Sequence, residues 1–239
     1  MIRIKFLFDR TEKLGFLSHL DLVRLFIRAL RRAHLPLAYS QGFNPHPKLA
    51  LALPLPLGVL AENEPGELYF TEPVKAEVFL KELGSRLPEG IHLKQAFTAD
   101  PDEPALASLV DAALYRAELR DLPEISSQWD AQLFSQALLR LLEKEVILAP
   151  RRGKKHKPEY KNVRPGIIRA ELKNKNSRTT AVELYLKAGS RGGISPLFLL
   201  EQLAEEAGNT FFTAQCWKLC RQGLYRADGK LIMPLPEGM

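Results

Sequence analysis

Hydrophobic and polar positions alternate from the first residues of the chain. Ile2, Ile4, Phe6 and Phe8 share one face and Arg3 and Lys5 the other. That period of two predicts a strand with one buried face. The period then lengthens. Ser18 and Asp21 form an S-x-x-D box ahead of a helix that runs to about Ala33, with Pro36 closing it. Residues 48–55 read as a strand. Pro65-Gly66 reads as a turn before a further strand over 67–71. An amphipathic helix is predicted over 74–87 and a strand over 91–97. The order is β-α-β-β-α-β, the ferredoxin-like pattern of an α+β fold.

The same order recurs after the linker PDEP at 101–104. Strands are predicted over 113–119, 146–149, 167–172 and 181–187, with helices over 129–142 and 196–207. Ser195 stands as N-cap of the last helix and Pro196 at its first position. Residues 211–217 read as the closing strand, with a short helix over 216–222 as the alternative. The expected organisation is therefore two tandem ferredoxin-like units: 1–100, a linker at 101–109, and 110–239 with a basic insertion at 150–166.

Charge changes this picture at one place. The chain of 239 residues carries a formal charge of +6, and the run RRGKKHKPEYKNVR at 151–164 alone carries +6, with Glu159 its single acid. The remainder is balanced. Such a strip suits a phosphate backbone, and Arg151, Arg152, Lys154, Lys155, Lys157, Lys161 and Arg164 would supply the salt-dependent grip.

Two further segments present groups suited to RNA. On the first helix Asp21, Arg24, Arg28, Arg31 and Arg32 fall within an arc of about 100°. Guanidinium groups suit bidentate phosphate contacts and stacking on bases. The loop YSQGFNPHPKL at 39–49 brackets His46 between two prolines. It offers Tyr39, Gln41, Phe43, Asn44, His46 and Lys48 for stacking and hydrogen bonding to unpaired bases. His19 and His46 are candidates for general acid and base, with Asp21 a third catalytic candidate. His19 and Asp21 diverge by about 200° on a helix, so they do not converge on one metal ion.

Residues 18–59, SHLDLVRLFIRALRRAHLPLAYSQGFNPHPKLALALPLPLGV, resemble the N-terminal signature of the radical-SAM-linked protein family. That family is found alone or fused behind a cobalamin-binding radical SAM domain. The resemblance rests on Ser18, His19, Asp21, Arg28, Arg31, Gly42, Asn44, Pro45, His46, Pro47 and Gly58, and on Glu64 beyond the segment. It extends more weakly to Arg164-Pro165 and to 221–224. It implies partnership with a radical SAM or cobalamin-binding protein acting on RNA, this chain corresponding to the stand-alone form.

The two cysteines, Cys216 and Cys220, stand in C-x-x-x-C, but Gly223 occupies the third position of a radical SAM motif. An iron–sulfur cluster needs about three or four thiolates, so this sequence is not itself a radical SAM enzyme, and no cofactor or metal is expected. The turn GSRGGIS, 189–195, lacks the Lys-Ser/Thr ending of a Walker loop. The first ten residues carry charges and no secretory apolar region, which predicts a cytoplasmic protein without a membrane span.

The expected function is an accessory one: binding tRNA or rRNA during its modification or maturation. Two other classes are compatible with the residues. One is an RNA-processing or RNA-modifying enzyme using Asp21, His19 or His46. The other is a protein–protein adaptor of a radical SAM enzyme without RNA contact.

Overall fold

The computed structural model describes residues 1–152, 158–176, 179–190 and 192–234. The protein is a mixed α+β structure of two compact units, Met1–Asp111 with Arg221–Met239, and Ala112–Cys220. Residues 221–239, expected with the second domain, thus cluster with the first.

In chain order the first unit comprises β1 (Ile2–Arg10), α1 (His19–Arg32), β2 (Leu49–Leu51), β3 (Leu60–Phe70), α2 (Ala76–Gly84), β4 (Ile91–Ala99) and α3 (Leu106–Leu109). The second comprises β5 (Ala112–Leu119), α4 (Pro123–Ser126), α5 (Ala131–Glu143), β6 (Leu148–Arg152), β7 (Pro158–Asn162), β8 (Ile167–Asn176), β9 (Thr179–Lys187) and α6 (Pro196–Glu206). The last strand, β10 (Trp217–Tyr225), gives its first four residues to the second unit and the rest to the first.

Antiparallel pairing in the first unit gives β4-β1-β3-β2. This is the strand order of a split β-α-β unit. The second unit repeats it as β10-β5-β9-β8. β6 and β7 form a separate two-stranded antiparallel pair, so the basic strip begins on a paired strand, while Arg164 at its end lies in a helical turn after β7.

The first core forms where α1 lays Leu22, Phe26, Ala29 and Leu30 against β1 and β3. Phe6, Phe8, Phe26 and Phe79 pack there with ring centroids 5.0 to 6.1 Å apart. Such aromatic spacing adds to simple area burial. The second core gathers Trp129, Phe134, Phe212 and Trp217 beside the apolar faces of α5 and α6.

Several expectations are corrected. β1 is buried on both faces, because Arg3 is enclosed as fully as Phe6. Its guanidinium pairs with Glu67 and donates to the carbonyls of Glu103 (2.6 Å) and Pro104 (3.0 Å). Lys5 pairs with Glu103. These contacts fix the PDEP segment within the first unit.

β3 starts at Leu60 and runs through Pro65-Gly66, which is a strand interior and not a turn. Gly66 lies opposite Phe6, and a Cβ there would collide with the Phe6 ring, so the bare backbone makes room for the aromatic. β2 has three residues where eight were expected. Pro54 and Pro56 carry no N–H to continue a ladder.

The closing strand is β10, not residues 211–217, and no helix starts at Cys216. Its alternation of Trp217, Leu219, Arg221 and Gly223 inward was obscured by the arginine on the buried face.

Among the described residues no helix is long and apolar enough to cross a membrane. Neither Cys216 nor Cys220 forms a disulfide among the described residues.

Candidate nucleic-acid interface

The arginine face of α1 is a consequence of its apolar face. Leu22, Phe26 and Ala29 are buried, so Arg24, Arg28, Arg31 and Arg32, on the opposite arc, are all exposed. Arg24 is partly neutralised by Asp21 at 3.4 Å. Arg28 donates to the carbonyl of Arg24 at 3.3 Å. Arg32 reaches out of α1 and donates to the carbonyl of Arg86, just beyond α2, at 2.7 Å.

The chain leaves α1 through His34 in the left-handed conformation, φ 51°, with Pro36 following. This is a usual way to end a helix. The turn sets His34 beside Arg31, Arg32 and Arg86, and the four side chains line a shallow depression of about 420 Å³. No carboxylate of the described residues pairs with Arg28, Arg31, Arg32 or Arg86. Basic groups at a helix C-terminus complement its dipole. Arg86 lies two residues beyond the end of α2 and joins the same concavity, which goes beyond that local effect.

The loop after α1 is stapled at its base. Tyr39 bridges Pro47, Ser40 N–H donates to the His46 carbonyl (2.9 Å), and His46 N–H donates to Ser40 Oγ (3.1 Å). Ser40 Oγ also lies 3.0 Å from His46 Nδ1. Gln41, Phe43 and Asn44 are exposed at the tip, and Phe43 is fully so, at 105%. Tyr39 is exposed as well. An apolar ring held wholly in water on a braced loop is available for stacking. Lys48 is half-buried, with its amine 3.5 Å from Met1 Sδ.

No hydrogen bond of the described residues joins the catalytic candidates Asp21, His19 and His46 to one another. Asp21 is engaged by the Ser18 hydroxyl at 2.6 Å, and Ser18 Oγ in turn accepts the Asp21 N–H at 3.1 Å. That hydroxyl hydrogen bond, assisted by Arg24, holds the Asp21 carboxyl below the usual range. Replacing Ser18 by alanine is expected to return it toward the ordinary aspartate value, read by NMR titration. The lost cap should also cost about 1 kcal/mol in denaturant unfolding.

His19 is half-buried, and its Nδ1 is enclosed with no hydrogen-bond partner. Burial, then the nearby Arg221 charge, lowers its pKa. The folded protein therefore binds this proton less readily than the unfolded chain. The contribution to stability is fully present above the unfolded value of about 6.5 and is lost as pH falls from there through the folded value. His19→Gln is expected to flatten that acid-side decline, measured as unfolding free energy against pH.

The basic strip divides. Arg151 and Arg152 lie on β6 and Lys161, exposed, on β7. Lys154, Lys155 and Lys157 lie outside the described residues. Arg164, expected on the phosphate surface, is a structural residue. Its guanidinium donates to the carbonyl of Leu142 through Nε (3.0 Å) and a terminal nitrogen (2.5 Å), satisfying the end of α5. Among the described residues no three His, Cys, Asp or Glu side chains group as metal ligands.

His34 and Arg86 were not singled out from the sequence. The pattern around each is ordinary, and only the packing of the first unit brings them beside Arg31 and Arg32.

Two β-α-β-β-α-β units, with an exposed arginine helix in the first, define a tandem α+β protein with a cationic surface. The chain belongs to the family described as "Uncharacterized protein conserved in bacteria (DUF2344)", whose model matches residues 3–196. No curated protein matches it. Among solved structures it is similar to a chain of a Cbf5–Nop10–Gar1 complex at 13% identity, covering 93% of this chain and 50% of that one, with a TM-score of 0.41. It thus spans about half the length of that chain. It is also similar to a putative glycine cleavage system transcriptional repressor at 10% identity, covering 91% of this chain and 94% of that one, with a TM-score of 0.24.

Proposed function

We propose that this protein binds tRNA or rRNA and assists its modification or maturation, together with a radical SAM enzyme that carries out the chemistry. The observation that supports this most is the depression where Arg31, Arg32 and Arg86 meet beside His34 with no paired carboxylate. Guanidinium groups left without counter-ions in such a depression are suited to phosphates, which they bind bidentately. The exposed rings of Phe43 and Tyr39 would stack on unpaired bases of the same RNA. The catalytic partner is inferred from the resemblance of residues 18–59 and from the presence of only two cysteines, too few for a cluster.

The test is crosslinking with RNA sequencing on cells expressing wild type or the variant Arg28, Arg31, Arg32 and Arg86→Glu. A defined tRNA or rRNA region that is enriched with wild type and lost with the variant is the expected result. No enriched RNA with either protein overturns the proposal. Asp21→Ala and His46→Ala are expected to leave RNA modification intact. Loss of the modified product with affinity retained would assign the chemistry to this chain.

A further inference from the structure

The second unit holds a concave site that the RNA surface of the first does not use. A cavity of about 700 Å³ opens between the β6–β7 pair and the glycine-rich turn before α6. That size lies within the range of small-molecule sites, roughly 300–1,000 Å³. Pro150, Ile194 and Phe198 give it an apolar wall, and Ser190 and Lys161 add polar groups. A smaller cavity of about 130 Å³ shares Lys161, Gly192 and Ile194 with it and is lined in addition by Lys187.

Gly192 explains how the two are joined. Its φ is +108°, and a Cβ built on it would lie 2.8 Å from Lys161 Nζ. The ammonium of β7 therefore rests over bare backbone of the turn. A side chain there would both strain the backbone and push the amine away. Lys161 and Lys187 thus border the same small space, and no carboxylate of the described residues pairs with either. The Lys161 ammonium at this space, without a counter-ion, favours an anion in it, and Lys187 on its border adds a second positive residue.

We propose that this site takes a nucleoside monophosphate, its phosphate between Lys161 and Lys187 and its base against Phe198 and Pro150. The small cavity with two lysines fits one phosphate group rather than a triphosphate. The larger one, with an aromatic ring beside serine hydroxyls, fits a flat body with polar edges. A free nucleotide and an unpaired nucleotide of an RNA share this chemistry.

The experiment is isothermal titration of the full chain with each of the four ribonucleoside monophosphates, with inorganic phosphate, and with a five-nucleotide single-stranded RNA. It is repeated with Lys161→Ala, Lys187→Ala and Phe198→Ala. Both lysines are exposed, so their variants are expected to keep the wild-type melting curve. The expected result is nucleotide binding at least tenfold tighter than phosphate, weakened about tenfold by each lysine change. Phe198→Ala should lower nucleotide affinity and leave phosphate affinity unchanged.

Mononucleotides binding as well as the oligonucleotide identify a free nucleotide as the ligand. Lysine-dependent binding of the oligonucleotide alone identifies a nucleotide within RNA. Phosphate binding as tightly as the nucleotides, no binding of any probe, or binding indifferent to both lysine changes overturns the proposal. Reversing Arg31, Arg32 and Arg86 in the first unit leaves mononucleotide affinity unchanged, so this result stands apart from the RNA surface.

Discussion

Arg221→Met is expected to destabilise the first unit by about 3–5 kcal/mol, the range for breaking a buried ion pair by removing one partner. Arg221 is fully enclosed, and its guanidinium holds both oxygens of Glu64 at 2.6 Å. It also donates to the carbonyls of Leu53 (2.8 Å) and Pro54 (3.1 Å). Its removal leaves the Glu64 carboxylate buried at 2% exposure and orphans two carbonyls in a proline-rich segment that has few donors of its own.

Arg10 does not replace it. Its charge acts on Glu64 without a hydrogen bond to it, and its two terminal nitrogens are committed to the carbonyls of Leu17, Pro56 and Val59. The measurement is urea unfolding, with a tryptophan-independent probe of the first unit, since both tryptophans lie in the second. The double variant Arg221→Met, Glu64→Leu is expected to recover most of the loss, because it removes the uncompensated charge. A single-variant loss below about 1 kcal/mol would mean the pair is solvated and the burial argument fails.

Reversing Arg31, Arg32 and Arg86 to glutamate is expected to weaken RNA binding by about a hundredfold or more at moderate salt. Each phosphate contact with a single strand contributes about 0.7 to the slope of log affinity against log salt concentration. Three lost contacts should therefore reduce that slope by about two, measured by fluorescence anisotropy across a salt series. Arg24→Glu should do less, because Asp21 already offsets that charge. An unchanged slope in the triple variant would place the RNA elsewhere or remove it from the function. All four positions are exposed, so the comparison does not depend on a core change.

Both expectations turn on arginines, and the pattern of the chain distinguishes them poorly. Arg28 and Arg31 lie on a polar arc where an exposed charge is ordinary. Arg3, Arg10 and Arg221 sit on strands β1 and β10, and they are the most deeply buried charges among the described residues. Hydrophobic periodicity takes arginine as an outward residue. It assigned one open face to β1 and missed β10 for this reason. Arg164 shows the same effect, as a helix-end donor inside a run that reads as phosphate-binding.

Local chemistry settled other parts. Ser18, Asp130 and Ser195 each accept an N–H at the start of a helix. A cap needs only residues three apart, so α1 and α6 were legible from their first turns. The repeated β-α-β-β-α-β order and the α+β class were likewise present in the spacing of apolar positions, because each strand and helix buries one stripe against its neighbours.

What the sequence by itself determined is therefore the order of elements, the helix starts, the apolar faces and the concentration of charge. Tertiary structure alone decided which charges are buried and which are free. It carried β3 through Pro65-Gly66 beneath Phe6, returned residues 221–239 to the first unit, and set Arg86 and His34 beside Arg31. The physical reason is that those outcomes depend on partners far apart in the chain, up to 168 residues for Arg221 and Leu53. A guanidinium's fate is set by the carboxylates and carbonyls that folding brings within hydrogen-bond reach, not by its neighbours in sequence.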